Sequence, residues 1–432
     1  MRKHFFKILH LAYRNLFRNK RRTLFAIFIA AAGYSAMAIA LGYYNFSIYA
    51  LQEMTIRNGF GGAGGTGHIQ IKDKRGIENQ EKYTLEFGLA DYQKTIASIR
   101  TQPEVDYVLP RIEFGGLVST GEKSFPFIGY GIESLHEANL RGGLSLINPA
   151  LKLGEEIAPL KNHEYGVILG RKLANSLGVK VGDPLMLYGA TVHGAVNAID
   201  VELVGIMSTG LNETDKYYLL THVDLVQRLV NTDKISLISV MFKNRDSLDH
   251  KAEKINTLMA GAFGDNNGPG NNLNTVITWE SLAEYYTAAK DLFNMIFTFM
   301  GVIILAIVIL SCWNIMNMAT MERVREIGTL MAIGIKNVNV TIVFLLEAFL
   351  ISVIGLVIGF IAQIAISFGI NSLNIQMPPV PGMNQGYALQ VYPFSPYHAF
   401  VAFTVVLAIT LSSLSAFFII RKLTIVESLE HA

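Results

Sequence analysis

TLFAIFIAAAGYSAMAIALGYY, residues 23–44, contains no charged side chain. At roughly 1.5 Å per residue, a helix of about 22 residues covers the roughly 30 Å of a bilayer's hydrocarbon core. The stretch therefore reads as a spanning helix. A cleaved secretory signal is the competing reading, because basic residues precede the run and Ala36-Met37-Ala38 resembles a small-residue cleavage site. The run is longer than the roughly 7 to 15 apolar residues of such a signal, which favours the span.

Working outward, the chain of 432 residues is 51% hydrophobic and only 16% charged, yet it still carries 36 basic and 34 acidic residues. A bilayer core does not hold that charge cheaply, so the apolar excess must be concentrated. Further charge-poor runs lie at 291–316, 340–366 and 399–420, which makes four expected spans. Arg2, Lys3, Lys7, Arg14, Arg18, Lys20, Arg21 and Arg22 precede the first span with no acidic residue among them. The positive-inside rule puts that end in the cytoplasm. Arg323, Arg325 and Lys336 between spans two and three, and Arg421-Lys422 after span four, fall on the same side, while 371–398 has no Lys or Arg. The expected topology has both termini cytoplasmic, a large extracytoplasmic segment at 45–290, a cytoplasmic segment at 317–339, an outer loop at 367–398 and a tail at 421–432. Before the first span, residues 1–22 read as a basic amphipathic helix lying along the inner leaflet. Phe5, Ile8, Leu9, Ala12, Leu16 and Phe17 recur at helical spacing between Lys7, Arg14, Arg18 and Lys20.

Segment 45–290 changes pattern. His68–Lys72, Val201–Ile206 and Ser236–Phe242 alternate as strands do, and 92–99 and 248–259 read as helices. The fold class expected is four transmembrane α-helices plus one large α+β extracytoplasmic domain inserted between helices 1 and 2. GFGGAGGTG at 59–67 has no following Gly-Lys-Ser/Thr and opens onto a strand, so it reads as a hinge and not a phosphate loop. DNNGPGNN at 265–272 reads as a turn-rich loop. His68, His163, His193 and His222 have no metalloprotease spacing, and no Gly-x-Ser-x-Gly elbow is present. The single cysteine, Cys312, excludes a disulfide framework or a thiolate metal cluster within one chain, and a net charge of +2 argues against a nucleic-acid surface. No catalytic, cofactor-binding or metal-binding residues are expected.

NLFRNKRRT (15–23), VILGRKLA (167–174) with LGVKVGD (177–183), ERVREIGTLMAIG (322–334) and RKLTIVESL (421–429) stand in this order around one large outer domain and four spans. Together they make the chain resemble, over essentially its whole length, the permease subunits of the macrolide-exporter, lipoprotein-releasing and FtsX-like group of bacterial ABC transporters. The stretch 61–170 is most similar to lipoprotein-releasing members. The resemblance implies a MacB-like outer domain of two lobes, with the inserted lobe at about 111–207. It also implies dimers with a second permease copy or a paralogue, and an inner-membrane location. This chain has no Gly-x-x-x-x-Gly-Lys-Ser/Thr, so ATP-Mg is expected on a separate cytoplasmic ABC ATPase subunit, with no cofactor and no enzymatic activity here.

By the same resemblance, 317–339 is a coupling segment on which Glu322, Arg323, Arg325, Glu326, Ile327, Gly328, Leu330 and Met331 dock the ATPase. Mixed charge supplies specificity and apolar side chains supply buried area. The alternative is a solvated loop with an attractive Glu322–Arg325 pair and a repulsive Glu322–Glu326 pair. Glu347, about eight residues into the third span, would cost several kcal/mol facing lipid and should face protein, as a proton or substrate site, in a structural hydrogen bond, or near enough to the inner interface to be solvated. Gly355 and Gly359 form a Gly-x-x-x-Gly pair, and Gly33 with Ala36 marks a small-residue face of span one. Both permit close helix packing within one subunit or across a dimer. The implied mechanism is mechanotransmission: ATP-driven closure of the ATPases moves the outer domains. The cargo expected is a lipoprotein lifted from the inner membrane and passed to a periplasmic carrier. Alternatives are efflux of a periplasmic small molecule or peptide with an adaptor and an outer-membrane partner, and non-transport regulation of a cell-wall hydrolase.

Overall fold

The computed structural model describes residues 13–14, 16, 20–59, 64–78, 85–148, 151–263, 274–335, 337–378 and 386–422. Most of the expected interfacial helix at 1–22, the middle of the glycine stretch, the loop at 265–272, Lys336 and the tail after 422 lie outside the described residues. Two compact units result. One, helical, contains Met1–Ile48, Lys290–Ile375 and Leu389–Ala432; the other, α+β, contains Tyr49–Ala289 and Gln376–Ala388.

Among the described residues, three helices are long and apolar enough to cross a membrane: Lys20–Arg57, Glu284–Glu322 and Asn337–Ser372. Each extends beyond its expected span. The fourth expected span, 399–420, is not one helix. It divides into Tyr397–Ser412 and Ser415–Lys422, the first having 16 residues, short of the roughly 20 needed to cross. A cluster of hydroxyls marks the break. Ser412 Oγ donates to Ile409 O and Ser413 Oγ to Thr410 O, both at 2.7 Å, a local side-chain bonding that competes with the helical ladder.

Close packing in the helical unit is set by small residues. A Cβ on Gly359 would lie 2.6 Å from Ala31 O and 3.1 Å from Ala31 Cα, and one on Gly355 would lie 2.5 Å from Ala30 Cβ. The Gly-x-x-x-Gly pair thus seats the third long helix on the first within one chain. Ser35 Oγ donates to Gly359 O across that seam at 2.9 Å. Gly33 takes the Val308 side chain of the second long helix. Ala36 departs from the expectation: it is exposed, one turn after exposed Ala32, because the helical period carries it to the side opposite Ala30, Tyr34 and Ala38.

The outer loop expected at 367–398 also divides. Strands β10 (Gln376–Met377) and β11 (Tyr387–Ala388) belong to the α+β unit, where Asn148 Nδ2 donates to Gly386 O at 3.3 Å. Residues 389–396 are held on the helical unit instead. Asn371 exchanges two hydrogen bonds with the Val391 backbone at 2.9 and 2.8 Å, and Gln363 Nε2 donates to Pro393 O at 3.1 Å.

In the α+β unit, strands β1 (Ile69–Asp73), β2 (Val105–Ser119), β3 (Ser124–Ile132), β4 (Gly166–Gly170), β5 (Pro184–Ala190), β6 (Val196–Met207), β7 (Tyr218–His222), β8 (Leu237–Phe242) and β9 (Asn274–Thr278) form one sheet in the order β3-β7-β4-β6-β5-β2-β8-β1-β9. β2 also pairs with β3, so the run from β3 to β2 closes into a ring, and β8, β1 and β9 continue from it as an open wing. β2 pairs with β8 through Arg111 and then with β3 and β5. Gly116 permits the crowding there, since a side chain at that position would run into Tyr188 O. Val118, Phe127, Leu169, Leu187, Leu203 and Leu219 are among the buried side chains of the core. The ring reaches His222 in β7, beyond the Met207 boundary expected for the inserted lobe, because β7 fills the place between β3 and β4.

A buried ionic knot ties the ring to the end of the first long helix. Glu137, fully buried, accepts from Arg111 Nη2 at 2.9 Å and from Arg141 Nε at 2.8 Å. Arg141 Nη1 also donates to Asn58 Oδ1 at 3.1 Å and to Tyr218 OH at 3.3 Å, and Arg111 donates to Gly65 O. Burial alone would raise the Glu137 pKa; the two guanidiniums outweigh it and hold the carboxyl below its ordinary value.

His68 sits in the same unit, with Nδ1 accepting from the Phe242 N–H at 2.9 Å and its ring parallel to Phe242. Burial, aided by the charges of Arg57 and Lys251, pushes its pKa down to about 4. The folded state keeps His68 neutral, whereas the unfolded chain protonates near 6.5. This contribution to stability is therefore full above pH about 6.5 and is lost as pH falls towards about 4, by at most about 1.4 kcal/mol per pH unit. Thermal unfolding compared at about pH 7.5 and about pH 5 should show a steeper loss for the natural chain than for His68→Asn.

Candidate coupling site

The short helix Val324–Ala332 follows the second long helix after a single non-helical residue, Arg323, with φ −107° and ψ 14°. Its inner face is Val324, Ile327 and Gly328, all buried. Ile327 packs with Val340, Phe344, Ala416 and Ile420, and Met331 lies partly against them. The helix ends at Gly334, whose φ of +93° suits glycine; Ile335 N–H closes back on Leu330 O at 3.0 Å.

These contacts sort the expected docking residues. Glu322 and Arg325 are exposed, and Glu326, Leu330 and Met331 are half-buried. Arg323, Ile327 and Gly328 do not face outward, because the helical period and the break at Arg323 turn them into the bundle. Sequence reasoning missed Ile333, 79% exposed and one turn beyond exposed Thr329, and Val338, 58% exposed at the start of the third long helix. The i+4 and i+8 spacing of Ile333 from Thr329 and Arg325 would have found the first.

Glu347 faces protein. It is 1% exposed and accepts from Arg323 Nη1 at 2.9 Å, with Arg22 Nη2 3.5 Å away. Arg22 Nη1 donates in turn to Glu322 at 2.9 Å, a different pairing from the Glu322–Arg325 contact of the solvated-loop alternative. The Arg323 guanidinium stands 6.0 Å from the Phe344 ring centre. Acid and base thus alternate along one chain, Glu322, Arg22, Glu347, Arg323, drawn from the ends of the first two long helices, the turn and the third helix. No metal-holding group of three or more His, Cys, Asp or Glu occurs among the described residues.

Two family models match the chain: the MacB-like periplasmic core domain over residues 23–258 and the FtsX-like permease C-terminal domain over residues 298–425. The chain belongs to this family of ABC transporter permeases. The α+β unit is its MacB-like periplasmic domain; Glu322, Arg323, the short helix and Glu347 lie within the FtsX-like part, and Arg22 just precedes the first matched stretch. Among relatives, the lipoprotein-releasing system transmembrane protein LolC of Xylella fastidiosa (strain Temecula1) is 26% identical over 368 residues, covering 82% of this chain and 81% of its own. An ABC transporter permease of Methanocaldococcus jannaschii is 24% identical over 86% of both chains. The macrolide export ATP-binding/permease protein MacB of Campylobacter jejuni (strain 81-176) is 33% identical, but over 23% of this chain and 16% of its own. The solved periplasmic region of MacB from Actinobacillus actinomycetemcomitans covers 50% of this chain and 91% of its own at 12% identity and a TM-score of 0.36.

Proposed function

We propose that this permease is the membrane subunit of a lipoprotein-releasing transporter, driven by a separate cytoplasmic ATPase that docks on the short helix Val324–Ala332. The observation that carries the reading is the extent of the match. The likeness to LolC spans 82% of this chain, whereas the MacB relatives align over 23% to 47% of it. The basic residues favour cytoplasmic termini and place the short helix on the same side, with the MacB-like domain in the periplasm. In this arrangement the broken helix Tyr397–Ser412 and Ser415–Lys422 completes a fourth span. The subunit pairs with a second copy or a paralogue in the inner membrane, and ATP-Mg binds the ATPase only. Hydrolysis then works at a distance: closure of the ATPases pulls on the short helices, and the periplasmic domains move against each other to lift an acylated protein from the outer leaflet towards a soluble carrier.

The test is release in vesicles. The chain, its genetically neighbouring ATPase and any paralogue are reconstituted with a fluorescent triacylated lipoprotein, and the soluble fraction is followed with a carrier present. ATP-dependent release is expected. ATP-dependent extrusion of a macrolide through an adaptor, or activation of a peptidoglycan hydrolase without release, would transfer the assignment to the efflux or the regulatory branch.

A further inference from the structure

We infer that the alternating chain Glu322–Arg22–Glu347–Arg323 is a positioning device that fixes the direction in which the short helix leaves the bundle, and through it the coupling of ATP hydrolysis to cargo movement. This rests on the reading that the short helix receives the ATPase.

Arg323 is both joint and anchor. Its carbonyl accepts the Ile327 N–H at 2.9 Å and so begins the short helix, while its guanidinium is tied to Glu347 of the third long helix. The main chain at the joint is non-helical, and the side chain, 7% exposed, holds it against a carboxylate that is 2% exposed. Arg22 extends the tie to the first long helix through Glu347 and to the end of the second through Glu322. Swinging the short helix about this joint strains the bond between the Arg323 guanidinium and Glu347, and losing it leaves the buried carboxylate with only Arg22 Nη2, 3.5 Å away. The short helix and the three long ones therefore shift together or not at all. Packing of Ile327 on Val340 and Phe344 holds the helix down, but apolar contacts are non-directional and do not set its heading. Charged hydrogen bonds between planar groups do.

The device is tested with Glu347→Gln, Glu347→Asp and the double variant Arg323→Met/Glu347→Gln, each in the full complex in vesicles. Three quantities are read: the amount of complex co-purifying with the ATPase, the ATPase rate with and without lipoprotein, and the lipoprotein released per ATP hydrolysed. A positioning role predicts that Glu347→Gln still assembles and hydrolyses ATP, but loses stimulation by cargo and releases about tenfold less per ATP, within the usual range of coupling between sites. Glu347→Asp should restore part of the ratio. The double variant removes both charges together and so avoids an unpaired one; it keeps the inference testable if the single variant fails to assemble, and it should remain uncoupled. Natural release per ATP in Glu347→Gln or in the double variant would overturn the inference, as would a loss that tracks only the amount of assembled complex. If the natural chain itself binds no ATPase and releases nothing, the functional reading has failed instead.

Discussion

Substituting Glu137 by Ala is expected to destabilise the periplasmic domain by about 3–5 kcal/mol, the range measured when one member of a buried ion pair is removed. Glu137 and Arg141 have no exposure and Arg111 is 2% exposed, so two guanidiniums would remain in the interior without their counterion. The loss should appear as early unfolding and heightened proteolysis of the domain in the full-length protein. It should also loosen the attachment of Asn58 and Gly65, which hang on the same two arginines. A triple replacement of Arg111, Glu137 and Arg141 by apolar residues should recover much of the stability, because paired charges repay little beyond their own desolvation. Equal stability of Glu137→Ala and the natural chain would show that the knot is not closed in solution.

The second large effect concerns Gly359. Leu at this position must push into the Ala31 carbonyl and Cα, which are backbone atoms and cannot swing aside. Overpacking of this kind costs about 1–3 kcal/mol, and the Ser35–Gly359 hydrogen bond across the seam would go with it. The third and first long helices should separate locally, measured as a lower thermal midpoint in detergent and a reduced amount in the membrane. Ala36→Leu, on the exposed side of the first long helix, is the control and should leave the subunit's own stability unchanged.

The legible parts of the fold were those written in local pattern. Uncharged runs announce the long helices without any tertiary information, and alternation placed β1 and β8 to within a residue or two. The break in the fourth apolar stretch was written in Ser412, Ser413 and Ser415, but a hydropathy window averages such hydroxyls away. What escaped was set by contacts distant in sequence. Arg22 and Glu322 are 300 positions apart, and nothing local to either marks them as partners. Arg111 and Glu137 lie 26 apart on a strand and a helix, and each alone reads as a solvated charge. The residues expected to dock the ATPase were named as a segment and not as a face. That distinction needed the short helix's phase, which the non-helical Arg323 resets after the second long helix.

The most direct test of the account places a photo-crosslinking side chain at Ile333 in the full complex, in native membranes. Ile333 is 79% exposed beside the outward residues of the short helix. A specific crosslink to the ATPase subunit is expected, lost with Arg325→Glu, while membrane insertion of the permease is unchanged. A crosslink to lipid or to a periplasmic protein, or an ATPase that co-purifies undiminished yet does not crosslink at Ile333, would contradict it.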